Sequence, residues 1–288
     1  MKNLKADFYN QQYNNRELVP DFQSHLHNMA LLSEKIRQTT TCQLDIAYED
    51  KAQGRGQTLD YFPAKSASKP TALLVFIHGG YWRALDKKEH SFIAPTFIEN
   101  DIAVAIPNYS LCPTVHIEDI VMELMACMRW LYLHAQELNI DPARIYIAGH
   151  SAGGHLVTQL LCALWPIYDA KLPANLIQGG LSLSGIHDME MMRLAPFLQK
   201  DLRLTKASVA RLSTAYLKPN SHIRFIAAVG AEESSEFLRQ NNLITQAWKS
   251  QCFQKIELVG KNHFTALLDL SAKDTVLSRT LLRLIKNR

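Results

Sequence analysis

Residues 144–154 read Arg144-Ile145-Tyr146-Ile147-Ala148-Gly149-His150-Ser151-Ala152-Gly153-Gly154, and their order decides the fold. An apolar run ends directly at Gly149, and a second apolar stretch, Leu156 to Leu164, follows Gly153 with helical character. A Gly-x-Ser-x-Gly string arises easily by chance in a chain of this length. Strand before and helix after make it specific, because the turn that joins them is tight enough to strain the serine backbone. Small residues two positions before and after let the neighbouring backbone pass. Ser151 is therefore the candidate nucleophile, its hydroxyl presented at the top of a sheet. The bland alternative is a glycine-softened turn carrying an incidental serine.

Working outward, short and nearly continuous apolar runs recur at Ala72–Ile77, Ile102–Ile106, Arg144–Ala148, Leu176–Leu183, Phe225–Val229 and Ile256–Val259. Strands buried on both faces have this composition. Between the second and third, Ile117, Ile120, Val121, Leu124, Met128 and Leu131 are spaced as one helix face, ended by Asn139 to Pro142. That is a βαβ unit, and its repetition predicts a mostly parallel central sheet with helices on both faces. Upstream, Cys42 to Tyr48 and Thr58 to Phe62 flank Gly54-Arg55-Gly56 and read as a leading hairpin. Within residues 1–40, Pro20-Asp21 followed by Phe22, Leu26, Met29, Leu32 and Ile36 predicts an amphipathic helix. Residues 186–222, rich in Met, Leu and basic side chains, exceed an ordinary strand-to-helix connection. They read as a small helical cap that lines a pocket, or else as plain packing helices. The expectation is one domain over residues 1–288, containing the N-terminal helical segment and the cap.

Composition narrows the partners. With 288 residues, 47% hydrophobic and 20% charged, the chain can bury a large core. Thirty-one basic residues against 27 acidic ones leave a formal charge of +4, scattered along the chain instead of forming a stripe, which argues against nucleic acid. The group Arg279, Arg283, Lys286 and Arg288 suits the negative end of a last helix. Five cysteines, odd in number and widely spaced, show neither disulfide-scaffold density nor metal-ligand spacing. Lys2 and Lys5 precede polar Asn10 to Asn15 where a signal peptide needs an apolar run, and no stretch is long enough to span a bilayer. A cytoplasmic protein with no membrane partner is expected; a homodimer is left open.

A serine nucleophile attacking a carbonyl needs donors for the oxyanion, each worth about 3 to 4 kcal/mol. His78-Gly79-Gly80-Tyr81-Trp82 directly follows an apolar strand and offers them: the Gly80 and Tyr81 amides, joined by that of Ala152 at the helix start. Tyr81 and Trp82 would also wall an aromatic substrate, though core packing explains such residues as well. Where this order of motifs occurs, the base follows the final strand. Of the 11 histidines only His263 lies beyond His222, after the strand Ile256–Val259 and the turn Gly260-Lys261-Asn262. His150 and His155 flank the serine too closely to serve. Glu232, Glu233 and Glu236 crowd the end of the preceding strand. Glu233 is the preferred acid, and Asp188, one strand earlier, is the alternative.

These motifs together resemble the kynurenine formamidase (arylformamidase) family of α/β-hydrolases, whose HGGxW motif is similar to His78–Trp82. Asn108-Tyr109-Ser110-Leu111-Cys112-Pro113, Gly149–Gly154, Leu183–Asp188 and Val229–Phe237 resemble successive family segments. Tyr13-Asn14-Asn15-Arg16 and Val19-Pro20-Asp21 look like the start of bacterial members. The family generally carries Asp-Ser where this chain has Glu233-Ser234, a departure that a longer carboxylate can accommodate. The resemblance implies an α/β-hydrolase fold and removal of formate from N-formyl-L-kynurenine in tryptophan breakdown, without metal or cofactor. Two other readings stand beside it: a broad short-chain carboxylesterase with the same triad, and a non-catalytic binding protein on a hydrolase scaffold. Loss of Ser151 or His263 would favour the last, and neither is lost.

Overall fold

The computed structural model describes residues 4–49, 56–66 and 69–287. Its centre is a sheet of strands β1 (Gln43–Ala47), β2 (Thr58–Phe62), β3 (Thr71–Ile77), β4 (Ile102–Pro107), β5 (Ile140–His150), β6 (Gly179–Leu183), β7 (Arg224–Gly230) and β8 (Cys252–Leu258). They lie in the order β1-β2-β4-β3-β5-β6-β7-β8. The hairpin β1–β2 is antiparallel and joins β4 antiparallel. From β4 onward every pairing is parallel. Of the expected hairpin turn, Gly54 and Arg55 lie outside the described residues, as do Lys2 and Arg288.

The interior strands β3, β4 and β6 are buried at every position, which is why they read as unbroken apolar runs. Alternation still sorts their side chains. Leu73, Val75, Ile77 and Ile147 face one core with Leu124, Leu156 and Ile244 from covering helices. Leu74, Phe76, Val104 and Tyr146 face the other with Phe97, Leu281 and Ile285. Both faces are thus covered by helices, as a parallel sheet requires. At the edge, β8 ends at Leu258, and Val259, expected inside a strand, is exposed.

Strand order reverses at β3: the chain steps outward to β4, then crosses back to β5 on the opposite side. At such a switch point the loops leaving the carboxyl ends diverge and open a crevice. Here Ile77 pairs with Gly149, so the two glycine-rich motifs emerge side by side. This register puts the chemistry in that crevice.

The N-terminal region forms helices Leu4–Tyr13, Asn15–Leu18 and Phe22–Thr39. The last packs through Met29 and Ser33, while Leu32, expected on its inner face, is exposed. Residues 186–222 contain helices Glu190–Leu194, Pro196–Leu202 and Lys206–Leu212, the first two in contact with the N-terminal helix. Among the described residues no helix is long and apolar enough to cross a membrane.

Candidate active site

Ser151 adopts φ 56° and ψ −118°, a region that costs a non-glycine residue about 1–3 kcal/mol. Its surroundings hold it there. The Ser151 amide donates to the Leu183 carbonyl at 2.8 Å, and its own carbonyl accepts from the His155 amide at 3.1 Å. A Cβ on Gly153 would lie 2.0 Å from the Ile77 carbonyl oxygen, so only glycine lets the helix Ala152–Leu161 start this close to β3. The serine is 3% exposed, at the floor of a cavity.

The turn after β8 brings His263 to the same cavity. Its Nδ1–H donates to Glu233 Oε2 at 2.6 Å. The other carboxylate oxygen accepts from the Gly230 amide at 2.8 Å and from the Ser184 hydroxyl. Glu233 is thereby anchored at the carboxyl end of β7, with one oxygen committed to backbone and one to the imidazole. Asp188 is engaged elsewhere: Arg239 and the Tyr216 hydroxyl both approach it at 3.5 Å. Glu236 pairs with Arg239, and Glu232 is exposed.

Gly80 has φ 105°, and Tyr81 and Trp82 also lie at positive φ, so the loop after β3 coils back toward the serine. A Cβ on neighbouring Gly79 would come within 3.2 Å of Ser151 Cβ, a measure of how close the loop passes. Among the described residues, no backbone or side-chain acceptor takes a hydrogen bond from the Gly80 or Tyr81 amide. Ala152 is the first residue of its helix, where an amide has no intrahelical acceptor. Tyr81 lines the cavity. Trp82 does not, contrary to expectation: it is fully buried, with its ring edge-on to His155 at 5.1 Å. Trp82 packs its indole into the core while neighbouring Tyr81 faces the crevice.

Other buried histidines include His90, His150, His155 and His187, of which His90 and His150 also line the cavity. His150 Nε2–H donates to the His263 carbonyl at 2.9 Å, and the two rings lie 4.6 Å apart. Burial drives its pKa well down, helped by the charge on His263 when present. His155 donates to the Leu212 carbonyl, and burial lowers it to about 4. His90 and His187 are likewise pushed by burial to about 3. All four fold neutral.

Part of the cavity wall comes from the N-terminal helical segment. Asn14, Asn15, Arg16, Leu26 and Met29 line it, with Phe197 from the cap region and Phe264 beside the base. The Tyr81 hydroxyl donates to the Tyr13 carbonyl and accepts from Asn15 Nδ2 at 3.2 Å. Buried Tyr13 in turn donates to Glu236 at 3.0 Å and accepts from Gln240 Nε2 at 2.9 Å. Sequence reasoning missed this wall and missed Ser184. The position of Ser184, one residue beyond a predicted buried strand, was its only local signal. Among the described residues no group of three His, Cys, Asp or Glu side chains is placed to hold a metal ion.

A family model described as BD-FAE matches residues 59–165. Kynurenine formamidase of Salmo salar is 26% identical over 98% of this chain and 95% of its own length. That of Danio rerio is 27% identical over 91% and 88%. A solved structure, a provisionally assigned thioesterase from Silicibacter sp. TM1040, superposes with a TM-score of 0.81 at 26% identity, over 96% of this chain and 98% of that one. The chain has the α/β-hydrolase fold, and its relatives are hydrolases.

Proposed function

We propose that this α/β-hydrolase, related along nearly all its length to kynurenine formamidases, is itself an arylformamidase that cleaves N-formyl-L-kynurenine to kynurenine and formate. The observation that carries the chemistry is the 2.6 Å Glu233–His263 contact beside a strained Ser151 in one cavity. His263 removes the Ser151 proton as the hydroxyl oxygen attacks the formyl carbon, and Glu233 stabilises the imidazolium that forms. Donors at Gly80, Tyr81 and Ala152 hold the oxyanion. Collapse of the tetrahedral intermediate breaks the C–N bond, and His263 delivers its proton to the departing aryl amine. A water molecule, deprotonated by His263, then attacks the formyl-serine ester, releasing formate and regenerating Ser151. Tyr81 and Phe197, 5.8 Å apart and edge to face, supply aromatic surface for the substrate ring.

The likeness to a provisionally assigned thioesterase favours one competing reading, an ester-cleaving enzyme with the same machinery. Comparison of kcat/KM for N-formylkynurenine with that for phenyl and nitrophenyl esters separates the two. A strong preference for the formamide is the expected result. Equal or better ester turnover with negligible amide cleavage overturns the formamidase reading.

A further inference from the structure

We propose that Arg16 binds a carboxylate at the outer end of the substrate, at the opposite side of the cavity from the acyl group held at Ser151. The inference rests on the reading of Ser151 as nucleophile and adds a charge requirement to the substrate class. Among the described residues no Asp or Glu lines the cavity, and the two arginines that do differ sharply. Arg83 is neutralised by the Asp201 carboxylate and donates to the Phe197 carbonyl at 3.0 Å. Among the described residues Arg16 has no carboxylate within ion-pair distance. Its guanidinium sits over the Phe22 ring, 5.6 Å from the centroid, which steadies the side chain without using up its charge.

Position makes the cation useful. The adjacent Asn15 is buried and donates to the Tyr81 hydroxyl, which itself donates to the Tyr13 carbonyl. Residue 16 is therefore tied to the same loop that carries the candidate oxyanion donors. The cavity that Arg16 and Ser151 share also has apolar lining, with Leu26, Met29, Phe197 and Phe264. A ligand that satisfies every part has a small acyl group at one end, an apolar or aromatic body, and an anion at the other. Guanidinium presents paired N–H donors that match a carboxylate bidentately. Because Arg16 is exposed at the rim, its contribution weakens with added salt.

Two matched substrate pairs test this. One is N-formylkynurenine and its neutral carboxamide; the other is an aryl acetate bearing a propionate and the corresponding propionamide. Wild-type enzyme is expected to prefer the charged member of each pair by about tenfold in kcat/KM, chiefly through KM, at low salt. Arg16→Gln is expected to erase that preference, and Arg16→Lys to keep part of it. Absence of the preference in the wild type, or its retention in Arg16→Gln, overturns the proposal. If neither formamide is turned over, the formamidase reading fails on its own, and the ester pair still decides the role of Arg16.

Discussion

The two walls of the cavity are built by different means. On the reactive wall, Ser151, Glu233 and His263 each stand just past the carboxyl end of a parallel strand, where the ladder hydrogen bonds of β5, β7 and β8 fix the backbone. On the facing wall, residues 13–29 precede the first strand and are held by side chains: Val19 and Met29 pack into a core, and Tyr13 and Asn15 make hydrogen bonds. A scaffold of buried ladder bonds opens only with the sheet, whereas a docked segment can loosen by itself. The proposed chemistry thus sits on strand-anchored backbone and the proposed recognition on a segment docked through its side chains.

Substitutions on the two walls should therefore separate catalysis from binding. Ser151→Ala is expected to lower kcat by about 10⁶-fold while thermal unfolding shifts little, since only one hydroxyl is removed. Retained hydrolysis in that variant would remove the serine from the mechanism. Next in size, Glu233→Gln should cost about 10⁴-fold in kcat, because the amide no longer supports the imidazolium. Asp188→Asn should cost less than about tenfold, given that Asp188 contacts Arg239 and Tyr216 instead of His263. The reverse ranking would transfer the acid to Asp188.

On the facing wall, Tyr13→Phe deletes the hydroxyl shared by Glu236 and Gln240, at a cost of about 1–3 kcal/mol in urea denaturation. It should raise KM more than it lowers kcat; an equal fall in kcat would show the two walls to be one unit. A separate effect is a pH dependence of stability. His90, His155 and His187 are buried neutral with pKa values near 3 to 4, below the unfolded value of about 6.5. As pH falls below about 6.5 the unfolded chain takes up protons the folded chain refuses, so stability is full above that pH and declines towards pH 4. Each such histidine steepens the decline by up to about 1.4 kcal/mol per pH unit. His187→Asn should flatten the Tm–pH curve between pH 7 and 5; an unchanged slope would show that this residue protonates freely in the fold.

Much of the reactive wall is legible in the sequence. Ser151 lies in a local strand-turn-helix signal, and His263 is the last histidine in the chain. Trp82 and Leu32 misled because local pattern cannot tell which way a left-handed backbone turns a side chain, nor which helix face meets the sheet. Arg16 and Asn15 carried no local sign of lining a cavity. Their role depends on where a segment some 60 residues upstream of Gly80 docks, and no periodicity records that.

The amino-acid order by itself determined the parallel sheet and the strained serine turn, because each rests on contacts between near neighbours or on simple apolar runs. Tertiary structure alone decided that Glu233 and not Asp188 meets His263, that Ser184 and the Gly230 amide secure that carboxylate, and that the chain's first helices close the cavity. The reason is physical: strand order at the β3 switch point brings distant loops together, and hydrogen bonds across such distances leave no trace in the local pattern of residues.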